Sequence, residues 1–193
     1  MIEICRVDVH DKTALEAACS LLERAQDHET SESGIRFNTH GLTPQQLETD
    51  LVSGNGTLLL AFEDCEPIGT LTIVNDVRRN WYRRHETSPR LIKYVAVLPE
   101  RQGRGIAGLL VQEAIDLADE LISVSTDSLN RHAVHLYEKK GFSRVEISRG
   151  RGTQSNAVRL AHWRHGCPWS PFTIKAMVFL SKMRCVVKAA IRY

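Results

Sequence analysis

No apolar run in this chain of 193 residues approaches the roughly 20 residues that a membrane-spanning helix needs. The opening stretch MIEICRVDVHDK carries charge throughout and lacks the apolar segment of a secretory signal. Cys5, Cys19, Cys65, Cys167 and Cys185 form no C-x-x-C pair and are odd in number, which argues against a disulfide framework and for a reduced, cytoplasmic protein. A Walker-type G-x-x-x-x-G-K-[ST] loop is absent. His132-x-x-His135 and His162-x-x-His165-x-Cys167 fall short of a full ligand set at a recognised spacing, so no metal is expected. Internal repeats and low-complexity segments are also missing. Acid is absent from the end of the chain: up to Glu146 there are 16 basic and 23 acidic side chains, and after it nine basic and none acidic.

The chain is organised around LIKYVAVLPERQGRGIAGLLVQEAIDLADEL, residues 91–121. Leu91 to Leu98 is apolar on both alternating faces apart from Lys93, the pattern of a central strand covered on both sides. Pro99 ends it, having no N–H for a sheet ladder. Ile106, Leu109, Leu110, Ala114, Leu117, Ala118 and Leu121 then recur at helical spacing, which predicts a helix from near Gly105. A glycine-rich turn entering a helix is an anion site, because the first turn has N–H groups without intrahelical partners and the helix dipole is positive there. Gly103 and Gly105 allow close backbone approach, and Arg101 and Arg104 add mobile positive charge. The plain alternative is a strand-to-helix turn that binds nothing. Gly103-x-Gly105-x-x-Gly108 formally fits a dinucleotide fingerprint, but Pro99 to Gln102 separate it from the strand, where that fingerprint requires direct contact.

Gln102-Gly103-Arg104-Gly105-Ile106-Ala107 matches the [Q/R]-x-x-G-x-[G/A] motif of the GNAT acyltransferase superfamily, after a V-x-V-x-P-like strand end at Val95-Ala96-Val97-Leu98-Pro99. Downstream, NRHAVHLYEKKGF places Asn130, Ala133, Tyr137, Gly141 and Phe142 on that family's N-x-x-A-x-x-x-Y-x-x-x-G-F. The chain thus resembles the GNAT superfamily over residues 1–162. The resemblance implies a mixed α/β fold: a central mixed sheet with splayed parallel strands, about four helices, and here an added basic helical tail over 163–193. It also implies that acetyl-CoA lies between the splayed strands, Leu91–Leu98 and Leu121–Val124. The backbone of Val95, Ala96 and Val97 would pair with the pantetheine arm, and the N–H groups of Gln102, Gly103, Arg104, Gly105, Ile106 and Ala107 would hold the diphosphate. Asn130 would contact CoA or its ordered water, and Tyr137 would be the general acid.

Around this centre the sequence predicts further elements. Ile2–Val7 reads as a strand, and Thr13-x-x-Glu16 as a capping box before a helix with Leu15, Cys19 and Leu22 on one face. Asp27–Gly41 reads as a loop. Thr43-Pro44-Gln45-Gln46 starts a second helix that Gly54-Asn55-Gly56 ends. Thr57–Phe62 and Ile68–Val74 read as strands joined by a five-residue loop. Asn130–Lys140 is a helix closed by a left-handed Gly141 with Phe142 folded back, which gives those two residues a structural reason of their own. Strands near 145–147 and 157–161 follow, around a turn at 149–155.

Transfer of an acyl group to an amine needs a neutral amine and a proton for the departing thiolate. A phenol near pKa 10 can protonate a thiolate whose acid is near 8.5 at about 2 kcal/mol. Against this role for Tyr137 stands a packed helix tyrosine, and against that for Asn130 a helix N-cap. Lys93 and Tyr94 occupy the middle of the central strand, so no base is assigned there; Asp76, His85 and Glu86 are weaker candidates. Arg78, Arg79, Arg83, Arg84 and Arg90, with Trp81 and Tyr82, make a basic loop that suits an anionic acceptor group or merely solvent; nucleic acid is not the expected partner.

The tail from Thr173 predicts a basic amphipathic helix. Residues 1–75 hold 13 acids and four bases, so docking on the chain's own N-terminal region, or on a second copy as a homodimer, is preferred to contact with a membrane surface. The combined expectation is an acetyl-CoA-dependent N-acetyltransferase acting on a primary amine of a small molecule or peptide. The alternative is a CoA-binding regulatory or nucleic-acid-associated module with weak or no catalysis.

Overall fold

The β-rich runs of the first half of the chain pair into an antiparallel sheet. Its strands are β1 (Ile2–Val7), β2 (Thr57–Glu63), β3 (Glu66–Asn75) and β4 (Arg90–Val97), each paired with the next. The computed structural model describes residues 1–33, 41–78, 89–149 and 156–190, without side chains at 33, 149 and 184–190. The chain divides into two compact units, the first of Met1–Asp76 with Arg90–Leu117 and the second of Val77–Pro89 with Ala118–Tyr193. Most of the basic loop, with Arg79, Trp81, Tyr82, Arg83, Arg84, His85 and Glu86, lies outside the described residues, as does the turn at 150–155.

In the first unit every residue from Leu58 to Ala61 and from Ile68 to Val74 is buried, so both faces of β2 and β3 are covered. The cover comes from α1 (Lys12–Ser33), α2 (Pro44–Ser53) and α3 (Ile106–Asp116). Gly69 on β3 brings α3 close. A Cβ there would stand 3.2 Å from Leu110 Cδ1 and 3.3 Å from Ile106 Cγ2, so a larger residue would push the start of α3 off the sheet.

Three local expectations are corrected here. Thr13 does not cap α1: Asp11 Oδ1 accepts from the N–H groups of Thr13 (2.9 Å) and Ala14 (3.2 Å), a carboxylate at the positive end of the helix. The helix then continues through 27–33, where a loop was expected, since neither Gly nor Pro interrupts the chain between Lys12 and Gly34. The β2–β3 connection is a two-residue turn, not a five-residue loop. Asp64 and Cys65 both have positive φ, 51° and 66°, the turn whose twist matches the flanking strands. Pro67 is accommodated at the register shift between Ala61 and Phe62.

The capping box of α2 is formed as expected. Thr43 Oγ1 accepts from Gln46 N–H at 3.3 Å, and Gln46 Oε1 accepts from Thr43 N–H at 3.0 Å.

The second unit has its own antiparallel set, in the order β5 (Leu121–Asp127), β7 (Asn156–Trp163), β6 (Ser143–Arg149). These strands are longer than the sequence alone marked. Leu121, Val145, Ala161 and Trp163 form a core cluster against which Cys167 and Trp169 pack. Between β5 and β6 runs α4 (Arg131–Lys139), closed as expected. Gly141 sits at φ +85°, its N–H donates to Glu138 O, and Phe142 N–H donates to Tyr137 O, both at 3.0 Å. The tail forms α5 (Pro171–Ala190), whose first turn is capped by Ser170 Oγ accepting from Thr173 N–H at 3.1 Å. It packs along β6, where Ser181 Oγ accepts from Ile147 N–H at 3.0 Å.

Candidate functional site

Four of the five α-helices just described have a side chain capping their N-terminus: Asp11 on α1, Thr43 on α2, Asn130 on α4 and Ser170 on α5. Among the described residues, α3 alone has none. Its N-cap is Gly105, at φ +81° and without a side chain. Among the described residues of the first unit, the N–H groups of Gly103, Arg104, Gly105, Ile106 and Ala107 have no hydrogen-bond partner, the first backbone bond of the helix being Leu109 N–H to Gly105 O at 3.1 Å. Gly103 is also left-handed, at φ +75°, and a Cβ on either glycine would meet no atom within 4 Å. The sequence-predicted turn is therefore a row of bare amides facing open space.

Its approach from β4 is fixed at two points. Pro99–Arg101 forms a single 3-10 turn, and Gln102 donates its own N–H back to Pro99 O at 3.2 Å. The Gln102 side chain donates through Nε2 to Val97 O, also at 3.2 Å. Gln102 thus acts as a brace between strand and turn, and its backbone amide is not one of the bare ones.

The expectation of mobile charge at Arg101 and Arg104 is corrected. Glu63, at the end of β2, holds both: Arg101 Nη1 is 3.0 Å from Glu63 Oε2, and Arg104 Nη1 donates to the same oxygen at 2.8 Å. The Arg104 hydrogen bond, with the charges of Arg104 and Arg101, holds the Glu63 carboxyl below its ordinary range.

Upstream of the turn β4 is bulged. Ala96 pairs with Thr70 and Lys93 with Thr72, so Tyr94 and Val95 together stand opposite Leu71. Tyr94 takes φ +52° there. The bulge turns the Lys93 and Tyr94 side chains onto one acceptor: Asp50 Oδ2, on α2, lies 2.5 Å from Lys93 Nζ and 2.5 Å from Tyr94 Oη. Lys93 Nζ also stands 4.6 Å from the Tyr94 ring centroid. Burial works against the charge on Asp50, but the hydrogen bonds from Lys93 and Tyr94 prevail and bring its carboxyl below the usual value. Reading the sequence missed Asp50. The cue that existed was weak: one of two acids, Glu48 and Asp50, on the short helix preceding Gly54-Asn55-Gly56. Asp76 is buried at the end of β3.

In the second unit Tyr137 is 4 % exposed, with its ring 5.5 Å from that of Phe142. Burial pushes its phenol above the ordinary range. Asn130 is the N-cap of α4, its Oδ1 accepting from Ala133 N–H at 2.9 Å. Among the described residues no group of three or more His, Cys, Asp or Glu side chains is gathered as metal ligands.

Comparison with known proteins agrees with the motifs. The model of the acetyltransferase (GNAT) family matches residues 21–142. No curated protein sequence matches. Among solved structures, the chain is similar to an N-acetyltransferase from Staphylococcus aureus Mu50 (TM-score 0.64, 20 % identity, covering 86 % of this chain and 99 % of that one). It is similar to yncA, a putative acetyltransferase from Salmonella typhimurium determined with acetyl-CoA (TM-score 0.64, 17 % identity, 88 % and 99 %). A third is the paia N-acetyltransferase from Thermoplasma acidophilum in complex with coenzyme A (TM-score 0.60, 17 % identity, 82 % and 98 %).

Proposed function

The chain belongs to the GNAT family of acetyltransferases, and from that premise we propose that it moves an acetyl group from acetyl-CoA directly to a primary amine of a small molecule or peptide. The observation that carries this reading is the uncapped start of α3. These amides are open to water at Gly103, Arg104 and Gly105, and a diphosphate would replace that water with charge-assisted hydrogen bonds in the open space above Gly103 and Gly105. The residues present therefore fit the cofactor. Gly103, Arg104, Gly105, Ile106 and Ala107 would hold the diphosphate by their backbone. Val95, Ala96 and Val97 would take the pantetheine arm as an added strand. Acetyl-CoA supplies the activated thioester.

This arrangement orients the donor along β4. With the diphosphate at the turn and the arm running back over Val97 to Val95, the reacting end lies toward Tyr94 and its bulge. The acceptor amine arrives mostly protonated, and with a pKa near 10.4 its neutral form costs about 4–5 kcal/mol at pH 7. Asp50 would supply the carboxylate that β4 itself lacks. It receives the first ammonium proton, directly or through Tyr94 Oη, and releases it to solvent, since its carboxyl does not hold a proton near neutrality. Tyr137, protonated at rest, would give its O–H proton to the departing sulfur. Its phenolate then recovers the second proton from the amine nitrogen.

Thiol release from acetyl-CoA against a panel of amines, with calorimetry of acetyl-CoA binding, tests the whole reading; neither binding nor amine-dependent release would end it. Tyr137→Phe should lower kcat about 100-fold with acetyl-CoA affinity unchanged. An unaltered kcat removes Tyr137 from the chemistry. Its burial favours a second reading, a CoA-binding module of weak catalysis, because a phenol with a raised pKa is a poorer acid; binding without turnover would select it. Asp50→Asn should lower kcat/KM about tenfold at neutral pH, with the deficit closing as pH approaches the amine's own pKa. A deficit equal at every pH gives Asp50 a packing role only.

A further inference from the structure

The helix α5 has two apolar faces, and its packing uses one. Ile174, Met177, Val178 and Ser181 recur at helical spacing, are half-buried, and form the side toward β6, where Ser181 bonds Ile147. The opposite side carries Phe172, Ala176, Phe179 and Met183, spaced i, i+4, i+7 and i+11, with Leu180 beside them. Phe172 is 81 % exposed, Phe179 62 %, Leu180 52 % and Met183 46 %. These are large side chains held in water by a helix whose other side is already anchored. Single exposed apolar residues need no explanation, but an aligned stripe of four with two phenylalanines does.

Charge identifies the occupant. Lys175 and Lys182, seven residues apart, flank the stripe on one edge and are exposed. No Asp or Glu follows Glu146 anywhere in the chain, against nine Lys or Arg. Lysine is depleted at the cores of protein interfaces, whereas a stripe of Phe, Leu and Met edged by lysine suits the boundary between lipid headgroups and acyl chains. Nucleic acid would use the lysines but leave the stripe in water. Among the described residues no helix is long and apolar enough to cross a membrane, so the contact is one of a helix lying on the surface.

We propose that the outward face of α5 lies on an anionic membrane surface, with Phe172, Phe179 and Met183 at the acyl boundary and Lys175 and Lys182 against lipid phosphates. The inference does not rest on the acetyl-transfer reading. The orientation is set by β6, which holds the helix by its other side and turns the stripe outward.

Co-sedimentation of the full chain with vesicles tests it. Binding is expected to vesicles of equal parts phosphatidylglycerol and phosphatidylcholine, to weaken with added salt, and to be weaker on phosphatidylcholine alone. Phe172→Ser and Phe179→Ser should each cost about tenfold in affinity for both vesicle types. Lys175→Gln and Lys182→Gln should each cost about fivefold on anionic vesicles only. The lysine variants lie on the solvent edge of α5, so an unchanged melting temperature keeps the result free of folding effects. Three outcomes overturn the proposal. One is no sedimentation with anionic vesicles. Another is a dimer by analytical ultracentrifugation that the phenylalanine variants dissolve, which makes the stripe a self-contact. The third is RNA retention lost with the lysines and indifferent to the phenylalanines.

Discussion

The helices α3 and α4 begin in opposite ways. At α4, Asn130 turns its side-chain oxygen onto Ala133 N–H and satisfies the first turn from within. At α3, Gly105 offers no side chain, and the successive N–H groups from Gly103 to Ala107 are left bare among the described residues. The glycines of the two motifs differ in the same sense. Gly105 and Gly141 both have positive φ, 81° and 85°. Around Gly105 a Cβ would meet nothing, whereas at Gly141 it would stand 3.3 Å from His162 Cδ2. One glycine has open space beside it; the other lets the chain turn in space that protein already fills. Left-handed backbone alone does not mark a binding site. Left-handed backbone with unmet donors and empty surroundings is the ground on which we propose one.

The sharpest way to break the contrast is to give α3 what α4 has. Gly105→Asp fills the open space and adds an acceptor of like charge to a phosphate. Asp tolerates the left-handed region better than most residues, so the fold should lose no more than about 1–2 kcal/mol. Affinity for acetyl-CoA should fall on the order of 100- to 1000-fold, the loss of two charge-assisted hydrogen bonds. Calorimetry reads both variant and parent, and equal affinities would dissolve the contrast at its root. Gly141→Ala is the reciprocal change and a smaller one. It should cost about 1–2 kcal/mol of stability, from the left-handed strain and the contact with His162, with acetyl-CoA affinity preserved. A drop in affinity with unchanged melting would mean that the two glycines do the same work.

Both glycine turns were legible in the sequence because each is a local pattern. A glycine at a fixed distance from a helix periodicity reports backbone geometry within a few residues. The Thr43–Gln46 box was legible for the same reason. The box pattern at Thr13 misled: the structure caps α1 with Asp11, two residues earlier, whose carboxylate takes the N–H groups of Thr13 and Ala14. The side chains meeting at Asp50 were not legible. They come from residues 43 and 44 positions apart, and a bulge in β4 brings them together. Alternation along a strand does not announce a bulge. Nor could the sequence tell that Arg101 and Arg104 were spoken for, since their partner Glu63 lies about forty residues upstream.

Glu63 allows the finest adjustment of the contrast. Its carboxylate ties down the guanidinium groups of Arg101 and Arg104, so on the proposed reading the turn would attract anions by its backbone more than by its arginines. Glu63→Gln removes that restraint while keeping the shape. Freed arginines beside the turn should raise acetyl-CoA affinity about threefold at low ionic strength, an effect of surface-pair size, and the gain should vanish in high salt. The pH dependence has a definite sign. The arginines depress the carboxyl of Glu63 from its ordinary value of 4.5, so the attraction is complete above that value and is lost as pH falls through the lower value in the folded chain. Across the neutral range Glu63 stays ionised, and the ratio of variant to parent affinity should be flat. A ratio that drifts there would trace the effect to another titrating group. A variant that binds more weakly than its parent would show that Glu63 aims the arginines at the phosphate instead of withholding them.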